Sequence, residues 1–298
     1  DQVVFIAEDD LWTFNLKDKV ARRLTANLGM IRYPQFSPDG KQIAFTSTEE
    51  GTSEVYIIPS EGGEVTRLTY LGAYLNTLGW KGNKIIFASS HTSALPGYYK
   101  LFEIDSEGGS PVELPYGRAN DISFGAKGVV LGRNTGNPAR WKRYRGGTAG
   151  YLLVDKNGDG KFKKLIDLKG NFAHPMWIGN RIYFVCDHEG IGNIYSCTPE
   201  GKDLQKHSNH KDFYARGAYS DGKSIIWHAG ADLWLMDIKE NKPRKLSFAY
   251  SSPMVQRQRK FVSPPKNLED IYLSPDGGSL SFALRGKALV SGNWEGSV

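Results

Sequence analysis

The chain reads as an all-β protein: a six-bladed β-propeller built from four-stranded antiparallel blades, with seven blades as the alternative. Three observations lead there. A strand–turn–strand unit recurs about every 42 to 55 residues, the spacing expected when one small sheet repeats around an axis. No long segment of the 298 residues carries a helical period. Glycine-rich corners separate the strands: in Ser37-Pro38-Asp39-Gly40 the proline presets φ and the glycine takes the left-handed position, and Gly62-Gly63 reach φ values that a Cβ opposes.

Taken in order, Val3 to Thr25 reads as three strands without a first. Complete units then fall at about 34–69, 75–115, 119–166, 171–208 and 214–248 by the repeat criterion. The first of them runs Gln42-Ile43-Ala44-Phe45, Glu54-Val55-Tyr56-Ile57-Ile58, Ser60-Glu61-Gly62-Gly63 and Thr66-Arg67-Leu68-Thr69. Asp270 to Ser291 opens another unit, with Ser274-Pro275-Asp276-Gly277 as its turn, so the two ends are expected to share the closing region of one ring spanning 1–298 as a single domain. Alternation over Lys41–Phe45 and Asp10–Phe14 predicts apolar residues against a neighbour and polar ones facing out. A lone sheet of this kind exposes two apolar faces and its edges, and stacking around a centre removes both problems.

Composition narrows the function classes. Forty per cent hydrophobic residues without an extended apolar run describe a water-soluble chain that does not span a bilayer with helices. The net charge of +6 favours solubility and weak attraction to anions, but falls short of a nucleic-acid surface. Cys186 and Cys197 lie on neighbouring strands, with Cys186 expected opposite about Ile194, so no disulfide is expected and the usage suits a reducing compartment. The opening at Asp1, inside a strand pattern, reads as an excised piece.

Several stretches are more specific than the repeat. They include Val4-Phe5-Ile6-Ala7-Glu8-Asp9-Asp10-Leu11-Trp12, Arg22-Arg23-Leu24-Thr25-Ala26-Asn27-Leu28-Gly29, Leu131-Gly132-Arg133-Asn134-Thr135, the run Pro138 to Gly150, Asp187-His188-Glu189-Gly190-Ile191-Gly192-Asn193, and Gly286-Lys287-Ala288-Leu289. Together they resemble the N-terminal six-bladed propeller of the tricorn proteases, over essentially the whole chain. The resemblance implies a non-catalytic domain of a cytoplasmic, oligomeric serine peptidase that cuts oligopeptides. Its implied partners are peptides, downstream propeller and peptidase domains, other subunits of a homo-oligomer, and aminopeptidases, with no cofactor, nucleic acid or membrane. The family's paired-arginine anchor for a peptide carboxylate does not carry over, because the one adjacent pair, Arg22-Arg23, sits in a strand context. The alternative is a free-standing protein-binding module resembling the propeller of the TolB family, which shares the Ser-Pro-Asp-Gly signature. A propeller enzyme with a central metal or quinone requires inward carboxylates and histidines that the sequence does not place.

The candidate site is the loop Arg140, Trp141, Lys142, Arg143, Tyr144 and Arg145, which packs four cations and two aromatics between strands. Guanidinium groups grip carboxylates bidentately and stack on rings, so the loop suits a peptide terminus or an acidic partner face; the plainer account is a solvated loop whose arginine stems cover aromatic surface. Asp155, Asn157 and Asp159 match the first half of a calcium loop, but Ile166 stands where the bidentate glutamate belongs, so a hairpin turn is expected and no metal. His207 and His210 are not expected on one face, Asp187-His188-Glu189 is expected to be a hydrogen-bonded turn, and His91, His174 and His228 complete the histidines. No Gly-x-Ser-x-Gly elbow is present. Gln256-Arg257-Gln258-Arg259-Lys260-Phe261, bounded by Pro264-Pro265, interrupts the repeat as a basic connection that suits a domain or subunit contact, or plain solvent.

Overall fold

The computed structural model describes residues 1–26, 28–137, 139–252, 254 and 263–294, and almost all of its regular structure is strand. The basic stretch Gln256–Phe261 lies outside the described residues. Contacts group the chain into two compact units, Asp1–Ser251 and Ser252–Val298.

The first unit opens with β1 (Gln2–Ala7), β2 (Asp10–Asn15) and β3 (Arg22–Arg23), a three-stranded sheet. Four-stranded sheets follow: β4 (Ile31–Phe36), β5 (Gln42–Ser47), β6 (Glu54–Pro59) and β7 (Thr66–Arg67), then β8 (Leu75–Lys81), β9 (Lys84–Ser89), β10 (Lys100–Asp105) and β11 (Gly108–Arg118). The fourth sheet holds β12 (Asp121–Phe124), β13 (Val129–Arg133), β14 (Tyr151–Asp155) and β15 (Lys163–Lys164). The fifth holds β16 (Phe172–Ile178), β17 (Arg181–Cys186), β18 (Asn193–Cys197) and β19 (Gln205–Lys206), and the sixth β20 (Arg216–Ser220), β21 (Ser224–Ala229), β22 (Asp232–Asp237) and β23 (Lys242–Lys245). Within each sheet, strands adjacent in sequence pair antiparallel. The five complete repeat units thus fall on the five four-stranded sheets.

In the second unit, α1 (Pro264–Asn267) precedes a three-stranded sheet of β24 (Leu268–Leu273), β25 (Ser279–Leu284) and β26 (Lys287–Gly292). Its Ser274–Gly277 turn repeats the Ser37–Gly40 turn bond for bond. In both, the serine hydroxyl donates to the aspartate (2.5 and 2.7 Å) and accepts the amide five residues on (2.9 and 3.0 Å), and the glycine sits at φ 72° and 73°.

Apolar clusters lie between successive sheets of the first unit. Leu11 meets Ile31, Ile43 and Phe45; Ala44 and Val55 meet Leu75, Ile85 and Phe87; Ala88 and Leu101 meet Val129 and Leu131. Val130 and Leu152 meet Phe172 and Phe184, and Ala173 and Val185 meet Ala218 and Trp227. The sixth cluster joins the last of these sheets to the first: Val3 and Phe14 pack on Leu246, and Phe14 stacks on Phe248 at 4.3 Å and 11°. A parallel bridge between Val20 and Ala249 lies beside it.

This coverage on both faces overturns the alternation expected for the middle strands. In β2 the polar Asp10 and Thr13 are as buried as Leu11 and Phe14, because a neighbouring sheet stands on each side. Burying a carboxylate requires partners. The Arg-Leu-Thr ends of the repeats supply them. Thr25 Oγ1 donates to Asp10 (2.8 Å) and accepts the Leu11 amide (2.9 Å), while Arg23 pairs with Asp10 at 2.7 Å. Thr69, Glu54, Val55 and Arg67 repeat this arrangement, and Ser208, Asn193 and Ile194 give a neutral version. The outer strands β3, β7 and β19 are two residues long, so these side-chain bonds hold them where few ladder bonds can. Arg23 is therefore a structural cation.

Truncating Phe14 to Ala removes the stacked ring from the cluster between first and sixth sheets. Urea denaturation should show a loss of about 3–5 kcal/mol; a change under about 1 kcal/mol means that this cluster does not hold the first sheet.

Candidate functional site

The cationic loop joins β13 to β14 and folds onto the next sheet's Asp187–Gly190 turn. Arg145 Nη1 donates to Asp187 Oδ1 (3.1 Å) and its Nη2 to the Asp187 carbonyl oxygen (3.0 Å). The amides of Arg143 and Asn171 donate to the same carboxylate at 3.1 and 2.7 Å, and Arg143 Nε donates to the Gly190 carbonyl at 3.2 Å. Asp187 is fully buried, so this set of donors is what makes its charge tolerable. Asn171 Nδ2 donates to the Tyr144 carbonyl (2.9 Å), closing the loop on the fifth sheet.

The six loop residues are consequently not equivalent. Arg143 and Arg145 pin two sheets together, and Tyr144 packs its ring 5.4 Å from that of Trp141. Arg140, Trp141 and Lys142 face outward, Trp141 at 61% exposure, with Lys142 Nζ 5.9 Å from the Tyr214 ring. The buried carboxylate at Asp187 escaped the sequence reading, which saw only a turn there.

Asp155 is bound by its own turn. Its carboxylate accepts the amides of Asn157 (3.2 Å), Gly158 (2.9 Å), Asp159 (3.3 Å) and Gly160 (2.8 Å). Burial alone raises this carboxyl, but the four amide donors outweigh it and hold it below its ordinary value. The Asn157 and Asp159 side chains do not join Asp155 in a cage, and no group of three or more His, Cys, Asp or Glu suited to a metal occurs among the described residues.

The histidines are individually engaged. His207 Nδ1 bonds Asn241 Oδ1 (2.6 Å) and its Nε2 bonds Ser196 Oγ (2.7 Å), while Trp227 Nε1 donates to His210 Nε2 (2.9 Å). Both residues line one groove of about 420 Å³ with Trp234 and Pro243. The His188 ring lies 4.6 Å from that of Tyr195 at a 56° tilt, and His91 bonds Ser89. Cys186 lies opposite Asn193, one residue from the expected Ile194, and Cys197 opposite Ile182; both thiols are free and buried. Burial pushes Cys186 up to about 12 and Cys197 up to about 11, so both stay protonated.

The first strands of the second and fourth sheets are less buried than the two that follow them. β5, β6, β17 and β18 are buried nearly end to end, whereas β12 is half-buried throughout and β4 and β20 nearly so. These first strands pack on one another, β4 on β8, β12 on β16 and β16 on β20. First strands that pack on one another are the innermost of such a stack, where a propeller has its central channel. Ladder irregularities fall inside β4, β8, β16 and β20, and in each a residue takes positive φ: Tyr33 (55°), Gly79 (157°), His174 (49°) and Gly217 (55°). The electrostatic influence of Asp121 reaches Tyr33, His174 and Tyr219 on three other first strands. Burial raises both phenols, Asp121 adding to it, and lowers the His174 imidazole against the pull of Asp121, so His174 is neutral.

Sheets packed face to face around a channel define the protein as a β-propeller. Residues 1–242 match the family model described as the tricorn protease N-terminal β-propeller domain, and the chain belongs to that family. It is 38% identical over 263 residues to tricorn protease homolog 1 of Streptomyces coelicolor, covering 86% of this chain and 24% of the relative. The crystal structure of the tricorn protease superposes with a TM-score of 0.84 at 32% identity, over 98% of this chain and 29% of that one. The chain therefore spans about a quarter of the relatives it matches. A putative TolB from Agrobacterium tumefaciens superposes over 78% of this chain with a TM-score of 0.61 at 15% identity, a likeness of fold alone.

Two predictions separate these sites. In urea, Arg145→Ala should cost about 1–3 kcal/mol by leaving Asp187 under-bonded, whereas Arg140→Ala should stay within about 0.5 kcal/mol; equal effects would contradict the assigned roles. Because the folded Asp155 carboxyl lies below its unfolded value, its contribution is complete above the unfolded value and is lost as pH falls through the folded one. A thermal melt series on Asp155→Ala should show a lower melting point near neutrality and a shallower acid decline than the parent.

Proposed function

We propose that this chain is the non-catalytic N-terminal propeller of a tricorn-type serine peptidase that degrades oligopeptides, where it serves peptide or product passage and assembly. The observation that carries this reading is the superposition on the tricorn protease, which takes in 98% of this chain but 29% of the enzyme. The ring is read as six-bladed, from the six sheets of residues 1–251 and the closing contacts of Phe14 with Phe248, the first blade having three strands. The axial channel, walled by half-buried first strands, is the part of the domain suited to passage. The outward Arg140, Trp141 and Lys142 suit contact with an acidic face of another domain, subunit or aminopeptidase. The setting proposed is the cytoplasm, in a homo-oligomer. Buried free thiols are compatible with that compartment.

Fluorogenic oligopeptides should be cleaved by the parent polypeptide carrying the peptidase core and not by this chain. Replacing Arg140, Trp141 and Lys142 together by Ala in the parent should move its sedimentation toward smaller species. Inhibitor-sensitive turnover by this chain alone would overturn the non-catalytic assignment, and unaltered sedimentation would remove the loop from assembly.

A further inference from the structure

The channel wall carries two charges that the fold does not use. Elsewhere in this unit the guanidinium groups of Arg23, Arg67, Arg145 and Arg181 pair with carboxylates at 2.7, 2.6, 3.1 and 2.6 Å. Asp121, at the start of β12, makes no ion pair or side-chain hydrogen bond among the described residues, although it is half-buried. Arg216, at the start of β20, is likewise half-buried and makes neither, and its Nε is buried without a partner. The two do not pair with each other. A half-buried charge without a partner costs free energy, so both positions hold unsatisfied electrostatic capacity in a channel where screening by water is reduced.

Around Asp121 stand rings, with the Arg32 guanidinium beside Tyr33. The Asp121 charge acts on Tyr33, His174 and Tyr219, and His174 lies 5.6 Å from Tyr219. Arg216 sits across the ladder from His228, whose imidazole burial and the Arg216 charge both keep neutral. Local structure is arranged to keep Asp121 where it is: Gly132 pairs with it across β12 and β13, and a Cβ at Gly132 would come within 2.9 Å of the Asp121 Cβ and 2.4 Å of Thr135 Oγ1. Tyr33 and His174 are non-glycine residues held at positive φ, a conformation costing on the order of 1–3 kcal/mol, which persists only where the surroundings enforce it.

One anion and one cation, separated by aromatic faces, are complementary to a ligand with the opposite charges at its two ends. A phosphate or a polyamine would satisfy only one of them. We propose that the axial channel holds a bipolar site for short free peptides, the α-ammonium lying at Asp121 and the α-carboxylate at Arg216, with peptide side chains against Tyr33, His174 and Tyr219. This rests on the reading of the domain as one that handles peptides, and it adds the class: unblocked short peptides, as peptide hydrolysis produces them.

The test is calorimetric titration of this chain with trialanine, its N-acetyl form, its C-terminal amide and the doubly blocked peptide. Free trialanine should bind about tenfold or more tightly than either singly blocked form, as expected for loss of one charge-assisted contact. Asp121→Asn should abolish the penalty for acetylation and keep that for amidation, and Arg216→Gln should do the reverse. Equal affinity for free and doubly blocked trialanine overturns the bipolar site while leaving peptide handling intact; no binding by any of the four overturns both. The comparison of blocked and free peptides on the unmodified chain decides the question even if a variant fails to fold.

Discussion

Everything in the first unit depends on apolar sheet faces covering one another. A sheet of three or four short strands cannot bury both faces by itself, and here every sheet has a neighbour on each side, Phe14 and Phe248 included. Complete coverage explains why the second and third strands read as nearly continuous apolar runs, Ile182-Tyr183-Phe184-Val185 being one. It also explains why polar residues in those strands are few and never idle. Asp10, Glu54 and Asn193 each begin the strand next to the outer one and are held by a hydroxyl just beyond that outer strand.

The same requirement shapes the loops. A buried carboxylate is tolerable only when surrounded by donors, and Asp187 draws its donors from a loop that begins one sheet earlier. The cationic loop is therefore a clasp between the fourth and fifth sheets along part of its length and an exposed surface along the rest. Asp155 reaches satisfaction by a shorter route, gathering the amides of its own turn. Superficially similar clusters of charge, one resembling a ligand grip and the other a cation loop, thus resolve into two ways of making a buried acid affordable.

What remains unused by packing lies along the axis. First strands carry the ladder irregularities, the positive φ values at Tyr33 and His174, and the uncompensated Asp121 and Arg216. Features that a fold does not need, concentrated on one surface, are where a binding role is to be sought. The outward part of the clasp, with Trp141 largely exposed, is the second such surface.

The sequence by itself determined the repeat, the strands and the turns, because these follow from residues near one another: the Ser-Pro-Asp-Gly corners formed as their composition demands, and the five complete units became five sheets. Family-level stretches such as Pro138 to Gly150 also lay open in it. Only the tertiary structure decided which polar residues would be buried, that Arg145 would bind Asp187 while Arg140 faced water, and that His174 would meet Tyr219 within reach of the Asp121 charge. Those outcomes depend on the angle between one sheet and the next, which brings together residues from strands 40 to 100 positions apart, a separation over which no local pattern can act.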